Sequence, residues 1–388
     1  MQAVAQPVFA LYHGHVIVSW VILIMLSGNG EPAWLSDDPV IIVRPLPVVR
    51  EPERSIGHSV MVERTSSART LDGDELLKIG DIHEVQNHLQ EALLYYQRAL
   101  TAFRTKKNRR GEAAALVRIG SVSERQGNHA EALTALNAAV PLLAAMGENG
   151  PHAHALLKLG RVSESLGRTA EAQDAYQRAR ALFQRTHDQH GHTESLIRLG
   201  SLWTSEGRVG EALTSLETAL KDARDRQDHA QQVVALTVLG DARVREGESV
   251  IARAMYEEGL RLAEAQREVR AEVDLRIRLA RLSLTEGQHA DGLAMAQRAL
   301  ALYQSLRDRS READTLSLLG SLHQAEGNAT LAAEHHERAL TLYRALRDRM
   351  REAASLANLA AVYEVQGLSK DAQETQQKVI FLLQSTTQ

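Results

Sequence analysis

The chain contains no cysteine, few aromatic residues and no excess of positive charge, and each absence excludes a class of function. Without cysteine there is no disulfide bond, no thiol nucleophile and no cysteine-ligated zinc. Lysine and arginine number 45 against 49 aspartate and glutamate residues, so the charge gives no reason to expect a nucleic-acid partner. Aromatic residues make up only 4% of the chain, which indicates packing by small and aliphatic side chains.

Proline is almost absent from most of the chain. Six of the eight prolines lie in the first 52 residues, and only Pro141 and Pro151 follow. Because proline disrupts the interior of a helix, this distribution predicts helical protein downstream of a boundary near residue 70. We therefore divide the chain into an apolar N-terminal segment (1–27), a proline-rich linker (28–72) and a helical region (73–388).

The N-terminal segment contains an apolar run from Val16 to Leu26. The run is short for a membrane span and matches the core of a signal peptide in length. However, no basic residue precedes Arg44, and no small-x-small cleavage site follows the run. Two alternatives stay open. Residues 8–27 act as an anchor or export signal, or they form an extension upstream of a true start at Met61; we favour the second, which predicts a cytoplasmic protein.

A small residue recurs every 40 positions of the helical region, which is the strongest signal in the sequence. The members of this series are Gly80, Gly120, Gly160, Gly200, Gly240, Ala280, Gly320 and Ala360. A second series, seven residues later, consists of Asn87, Gly127, Gly167, Gly207, Gly247, Gly287, Gly327 and Gly367. A fixed period of this length predicts a stack of one supersecondary unit, repeated eight times.

Each unit has the pattern of two helices joined by a tight turn. In the first unit, apolar residues from Leu76 to Val85 follow a helical stripe, and a second stripe begins at Ala92. Between them stands Asn87, where the other units carry glycine; both residues accept a left-handed backbone at low cost. In the second unit, Asn128 and Glu131 predict a capping box at the start of the second helix. The small residues of the first series are interpreted as positions where two helices approach closely.

These units resemble the tetratricopeptide repeat family. Leu159-Gly160, Ala172, Tyr176 and Ala179 match the signature of that family in order. The resemblance covers residues 73–388, but the period is longer than the usual one of about 34 residues, and the family's proline after the second helix is absent. Both features are similar to the long-repeat branch of polarity scaffolds and bacterial regulators. The resemblance implies an all-α, right-handed solenoid of eight helix pairs with a concave groove lined by the first helices.

Two columns of residues flank the small residue of each first helix and, by the resemblance, face the groove. Cations stand two residues before it at Lys78, Arg118, Lys158, Arg198 and Arg278, and polar or basic residues stand one residue after it at Ser121, Arg161, Ser201 and Arg281. Such a ladder suits an extended peptide with acidic side chains, because lysine and arginine form charge-assisted hydrogen bonds with carboxylates. The alternative is that Glu84, Glu124 and Glu164 neutralise these cations within the array.

The sequence offers no clear catalytic or metal site. It has no phosphate-binding glycine loop, dinucleotide-binding motif or nucleophile elbow. Histidines cluster at His187, His190 and His192, with His152 and His154 one repeat earlier. Because this segment reads as a polar turn and lacks the spacing of a zinc-binding helix, we interpret these histidines as solvated and predict no metal, no cofactor and no enzymatic activity. A metal-dependent enzyme remains the third hypothesis.

The sequence as a whole predicts a protein–protein interaction scaffold that binds an extended, acidic segment along the N-terminal half of the groove. The alternative is a regulatory array that senses a peptide or small ligand and acts on an effector. The partner is a protein or peptide and not a nucleic acid, with a membrane involved only if residues 8–27 anchor the chain. An apolar stretch at the end, 379–383, further suggests a homodimer through the C-terminal repeat.

Overall fold

The computed structural model describes residues 8–12, 15–19 and 71–384, and the chain separates into two units, Met1–Ala68 and Arg69–Gln388. In the first unit, strands β1 (Val8–Tyr12) and β2 (His15–Ser19) form an antiparallel hairpin. Most of the apolar run and the whole of the proposed linker up to residue 70 lie outside the described residues. The division of the first 72 residues therefore stays a prediction. In the described residues no helix has the length and apolarity that a bilayer crossing requires.

The second unit is a solenoid of eight helix pairs over residues 71–384, which confirms the all-α architecture. The first helices of the pairs are α1 (Gly73–Val85), α3 (Arg109–Arg125), α5 (Asn149–Ser165), α7 (Gln189–Ser205), α9 (His229–Arg245), α11 (Val269–Thr285), α13 (Arg309–Ala325) and α15 (Arg349–Val365). The second helices are α2 (Leu89–Thr105), α4 (His129–Ala145), α6 (Thr169–Thr186), α8 (Val209–Asp225), α10 (Ser249–Gln266), α12 (His289–Ser305), α14 (Ala329–Leu346) and α16 (Ser369–Gln384).

The first helices lie on the inner side of the stack. Each helix packs against the next one in the chain, and each first helix also contacts the first helix of the following repeat, from α1 with α3 through α13 with α15. Within residues 71–384, no two second helices contact each other in this way. The first helices are therefore closer together than the second helices, and they form the inner face of the curved array.

The turns inside each pair have the predicted left-handed backbone. Asn87 has a φ of 62°, and the glycines of the second series all have positive φ. The same conformation recurs between repeats at Lys107, Gly147, His187, Gln227, Arg267, Arg307 and Arg347. Only Gly147 in that set is a glycine, so the period of the glycines does not reveal these turns. A residue other than glycine loses about 1–2 kcal/mol in this conformation, so the packing of the repeats must offset that cost.

The predicted capping box at the second repeat is wrong. The Asn128 side chain makes no cap, and its amide instead donates a hydrogen bond to the Gln126 side chain at 3.3 Å. A full capping box occurs at α1, where the Asp72 carboxylate accepts from the Glu75 N–H at 2.8 Å and the Glu75 carboxylate accepts from the Asp72 N–H at 3.0 Å.

The glycines of the first series make room for large side chains from the second helix of the same pair. A Cβ atom at Gly160 would lie 2.4 Å from the ring of Tyr176, which is fully buried. The other glycines lie against Tyr96, Leu136, Leu216, Tyr256 and His336 in the same manner. Where the first series has Ala280, the residue sixteen positions later is Ala296, and both belong to one apolar cluster. In these helix pairs, the residue of the first series and the residue sixteen positions later therefore fill one space together. The glycines are small because a large side chain of the second helix occupies the space beside them.

Candidate peptide-binding groove

The best-ordered cation of the groove is Arg118, which an aspartate of the preceding repeat holds in place. Its guanidinium donates to both carboxylate oxygens of Asp81, at 2.7 and 3.2 Å. Asp81 also accepts from the Tyr96 hydroxyl at 2.8 Å. The hydrogen bond to Asp81 raises the pKa of Arg118, although partial burial opposes the charged form. Arg118 is therefore a fixed, neutralised cation.

The same cluster is built a second time, four repeats later. Arg278 donates to Asp241 at 2.8 and 3.1 Å, and Asp241 accepts from the Tyr256 hydroxyl at 2.7 Å. Burial raises the pKa of Tyr256, and the neighbouring Asp241 raises it further. The tyrosine therefore stays protonated and remains a hydrogen-bond donor. In both clusters a glycine of the first series creates the space that the tyrosine ring fills.

The cations of the third and fourth repeats are held less firmly. Arg161 pairs with Glu124 at 2.8 Å, and Arg198 lies 3.9 Å from Glu194. Lys158 is half-buried and forms no hydrogen bond or ion pair within residues 71–384. Burial lowers the pKa of Lys158, and the positive charge of Arg161 lowers it further. Within the described residues Lys158 is therefore a cation without a direct ion pair, although Glu124, Glu84 and Glu194 attract it at longer range.

Lys158 lies on the inner face. The other charges that act on it come from Glu84, Glu124 and Glu194, which belong to α1, α3 and α7. All three are first helices, as is α5, which carries Lys158 itself.

The remaining predicted site residues are Lys78, Ser121, Ser201 and Arg281. Lys78 and Arg281 are exposed and have no hydrogen-bond or ion-pair partner in the described part of the chain. The Ser121 hydroxyl donates to the carbonyl oxygen of Val117 at 3.0 Å, which is a hydrogen bond within its own helix. Ser201 lines a cavity described below.

The glutamate column neutralises only part of the ladder. Glu124 pairs with Arg161, but Glu84 pairs with Arg125 at 3.1 Å, which is not one of the ladder cations. Glu164 accepts from the Tyr176 hydroxyl at 2.7 Å. Of the ladder cations, the glutamate column therefore pairs only with Arg161, whereas Arg118 and Arg278 pair with aspartates. Lys78, Lys158 and Arg281 form no ion pair in the described residues. Their role in peptide binding stays a prediction.

Two adjoining cavities open on the inner face between α7 and α13. One has a volume of about 390 Å³ and is lined by Arg278, Arg281 and Arg311 together with Asp241 and Asp274. The other has a volume of about 360 Å³ and is lined by Ser201, Arg245 and Val238, among others. The two share three residues, Asp241, Val244 and Tyr256.

Sequence reasoning missed several residues of these cavities. Val244, Arg245, Asp274 and Arg311 lie outside the two columns that it considered. Tyr256 carried a usable signal, because tyrosine occupies the same place at Tyr96 and Tyr176.

The predicted polar turn is wrong for four of the five histidines: only His187 lies in a turn, whereas His152 and His154 belong to α5, and His190 and His192 to α7. Three of these helical histidines lie near separate aspartates. His154 lies 3.5 Å from Asp188, and His190 lies 3.0 Å from Asp228. His192 lies 3.7 Å from Asp222. Within the part of the chain that the structure describes, no three histidine, aspartate or glutamate side chains are arranged to hold a metal ion.

The solved structures similar to this chain include a quorum sensor, a signal transduction ATPase with a repeat sensor and a Rap protein. The apo form of the quorum sensor NprR from B. thuringiensis matches with a TM-score of 0.65 and 14% identity, over 81% of this chain and 89% of that one. A signal transduction ATPase with a tetratricopeptide repeat sensor, from Pyrococcus horikoshii, matches with a TM-score of 0.62 and 16% identity over 80% of this chain. This chain covers only 47% of that ATPase.

A Rap protein complexed with competence and sporulation factor matches with a TM-score of 0.52 and 13% identity, over 81% of this chain and 96% of that one. At these identities the likeness shows the fold. A sequence search of curated proteins returns no match. Models of the tetratricopeptide repeat match residues 111–185, 157–229, 271–345 and 311–384, more than half of the chain. With eight helix pairs in register and these matches, the chain belongs to the tetratricopeptide repeat family.

Proposed function

We propose that the array binds an extended, acidic segment of a partner protein along its inner face. The observation that carries this proposal is Lys158, a half-buried cation among first helices that has no direct counterion in the described residues; Glu124, Glu84 and Glu194 act on it only at longer range. A carboxylate of a bound segment would supply that counterion. Since burial already disfavours the charged form of Lys158, the ion pair would be formed in a partly dehydrated site, where it is stronger than on an open surface.

The fixed clusters around Arg118 and Arg278 support this role in a different way. Because each guanidinium is held by two hydrogen bonds to an aspartate, it loses little conformational entropy when a ligand binds. The fixed clusters would position the backbone of the segment, while Lys78, Lys158 and Arg281 would bind its acidic side chains.

The alternative is a regulatory array that senses a short peptide or a small molecule. The likeness to a quorum sensor and to a repeat region described as a sensor favours it at the level of the fold. The two functions differ in the extent of the surface they use. A scaffold would protect first helices of many repeats from hydrogen exchange when its partner binds, whereas a sensor would protect those of two or three.

Neutralising three ladder cations is expected to weaken binding of acidic peptides by about a hundredfold, since each charge-assisted hydrogen bond contributes about 1 kcal/mol at a partly exposed site. The variant is Lys78→Gln, Lys158→Gln, Arg198→Gln in the full chain. The native protein and the variant would each select from a displayed library of random extended peptides. We expect the native protein to enrich aspartate and glutamate, with binding that weakens as salt is raised.

A matched control removes three charges from the outer surface through Lys221→Gln, Arg298→Gln and Arg338→Gln. These residues are exposed on the second helices α8, α12 and α14. The control should select the same peptides as the native protein. Selection of peptides without acidic residues, or equal selection by both triple variants, would show that the ladder is solvated surface.

We further propose that the C-terminal repeat associates with a second copy of the chain. On α16, Ile380 and Leu383 are 55% and 43% exposed, whereas Leu340 and Tyr343, the aligned residues of α14, are buried beneath the following repeat. Phe381 is 71% exposed beside them. Sedimentation should therefore show a mass that rises with concentration, and Phe381→Glu should abolish that rise. A native chain that stays monomeric over a hundredfold range of concentration contradicts the proposal.

A further inference from the structure

The larger of the two groove cavities is lined by one more positive side chain than negative side chains. We call this cavity the α11 pocket; its charged residues are Arg278, Arg281, Arg311, Asp241 and Asp274. Three guanidinium groups face two carboxylates, so the pocket carries a formal charge of one positive unit. In the equivalent cluster of the first two repeats, Ser121 stands where α11 has Arg281, and no such excess arises.

Arg281 is the cation that is left over. Arg278 is engaged with Asp241 through two hydrogen bonds, and Arg311 lies 3.9 Å from Asp274. Arg281 makes no hydrogen bond or ion pair within residues 71–384. It is exposed, so its guanidinium is free to bind a planar anion through two parallel N–H groups.

The wall of the α11 pocket beside these charges is apolar. Val244 is 41% exposed, Ile277 is half-buried and Leu282 is buried. An exposed valine on the inner face gains free energy if an aliphatic group covers it, at about 25 cal/mol per Å² of area removed from water. The pocket therefore presents one binding position for an anion and, adjacent to it, one for a branched hydrocarbon.

The rest of the pocket is rigid. The Tyr256 ring is 2% exposed and lies over Gly240, where a Cβ atom would be 2.3 Å from it. Its hydroxyl fixes Asp241, which in turn fixes Arg278. Preorganised groups bind a ligand without a large cost of ordering.

We propose that the α11 pocket binds a single carboxylate attached to a branched aliphatic group, with Arg281 binding the carboxylate and Val244 and Ile277 covering the hydrocarbon. The inference rests on the proposed function in one respect, namely that the inner face is the binding surface, and it names the chemistry of the anchor. The terminal residue of a peptide that ends in leucine, isoleucine or valine carries both groups, and so does a small branched carboxylic acid.

The test uses N-acetyl-leucine as the probe, with the full chain labelled at its valine, leucine and isoleucine methyl groups for NMR. N-acetyl-leucinamide lacks the charge, and N-acetylglycine lacks the hydrocarbon. We expect N-acetyl-leucine to shift the methyl signals of Val244 and Ile277 in the millimolar range, and the other two compounds to bind at least about tenfold more weakly. Equal binding of the amide overturns the proposal.

Arg281→Gln should weaken N-acetyl-leucine by about tenfold, as expected for the loss of one charge-assisted pair, while Lys221→Gln should leave it unchanged. Isovalerate and a hexapeptide ending in leucine separate the two sources of the ligand: similar affinities indicate a small acid, and a much tighter peptide indicates a chain terminus. If the displayed library yields acidic peptides but N-acetyl-leucine and its amide bind equally, the α11 pocket is wrong and the proposed function stands. If N-acetyl-leucine binds but the library yields no acidic peptide, the pocket stands and the extended acidic segment is wrong.

Discussion

Replacing His336 by leucine is expected to abolish much of the loss of stability that the native protein undergoes between pH 6.5 and pH 4. The His336 ring is fully buried, and in the described part of the chain neither ring nitrogen has a hydrogen-bond partner. Burial, together with a smaller effect of the neighbouring His335, lowers the pKa of His336 from 6.5 to about 4. Protonation therefore favours the unfolded chain throughout this interval.

The sign and size follow from proton linkage. As the pH falls below 6.5, the unfolded chain binds a proton at this histidine before the native protein does, so the free energy of unfolding decreases. The loss is complete near the native pKa of about 4 and amounts to about 3 kcal/mol. Above pH 6.5 both states are neutral at this position, and the contribution to stability is fully present.

The surroundings of His336 explain why the charged form has no support. In the first repeat, the equivalent Tyr96 donates to Asp81 and Glu84. The aligned residues of the seventh repeat are Ser321 and Gln324, which carry no charge. Leucine fits the same space, since Leu136 and Leu216 occupy it in the second and fourth repeats and are fully buried.

Urea unfolding at pH 7, 6, 5 and 4 would compare the native chain with His336→Leu, and hydrogen exchange in α13 to α16 would locate the effect, because repeats can open separately. The control is His229→Leu, which changes an exposed histidine and should follow the native pH profile. A profile of His336→Leu that falls as steeply as the native one contradicts the prediction.

Gly160→Ala is expected to destabilise the array by about 2 kcal/mol, because an added methyl group overpacks a closed site. The new Cβ would lie 2.4 Å from the Tyr176 ring, which is fully buried. The ring is further held by its hydroxyl, which donates to Glu164 at 2.7 Å. It cannot move aside without losing that hydrogen bond or displacing its neighbours. Thermal or urea unfolding measures the change.

The same helix supplies the control. Gly150 also lies in α5, and no atom lies within 4 Å of the position of an added Cβ. Gly150→Ala should therefore leave stability unchanged or raise it by up to about 1 kcal/mol, as helix propensity requires. In a Tyr176→Ala background, Gly160→Ala should add no further loss, as the natural pair Ala280 and Ala296 indicates. A full loss in that background would show that the ring is not the cause.

The position of the groove was predictable from the sequence, but its chemistry was not. The repeat pattern correctly predicted that Arg118, Lys158 and Arg281, which flank the small residues, lie on first helices. It could not show that Arg118 is neutralised by Asp81, 37 residues earlier, and that Lys158 is not. The difference depends on which side chain the preceding helix places opposite each cation, and that is a property of packing between repeats.

The sequence by itself determined the helix pairs and the turns within them, because these features depend on short-range chemistry. An apolar stripe at helical spacing requires a buried face, and a residue such as Gly127, with a φ of 78°, requires a left-handed turn. Only the tertiary structure decided the contents of the groove. In the described part of the chain Arg281 has no ion-pair partner, Tyr256 is fixed against Gly240, and His336 is enclosed without a hydrogen bond. These outcomes arise because residues distant in the chain meet there and share a limited volume and a limited number of charges.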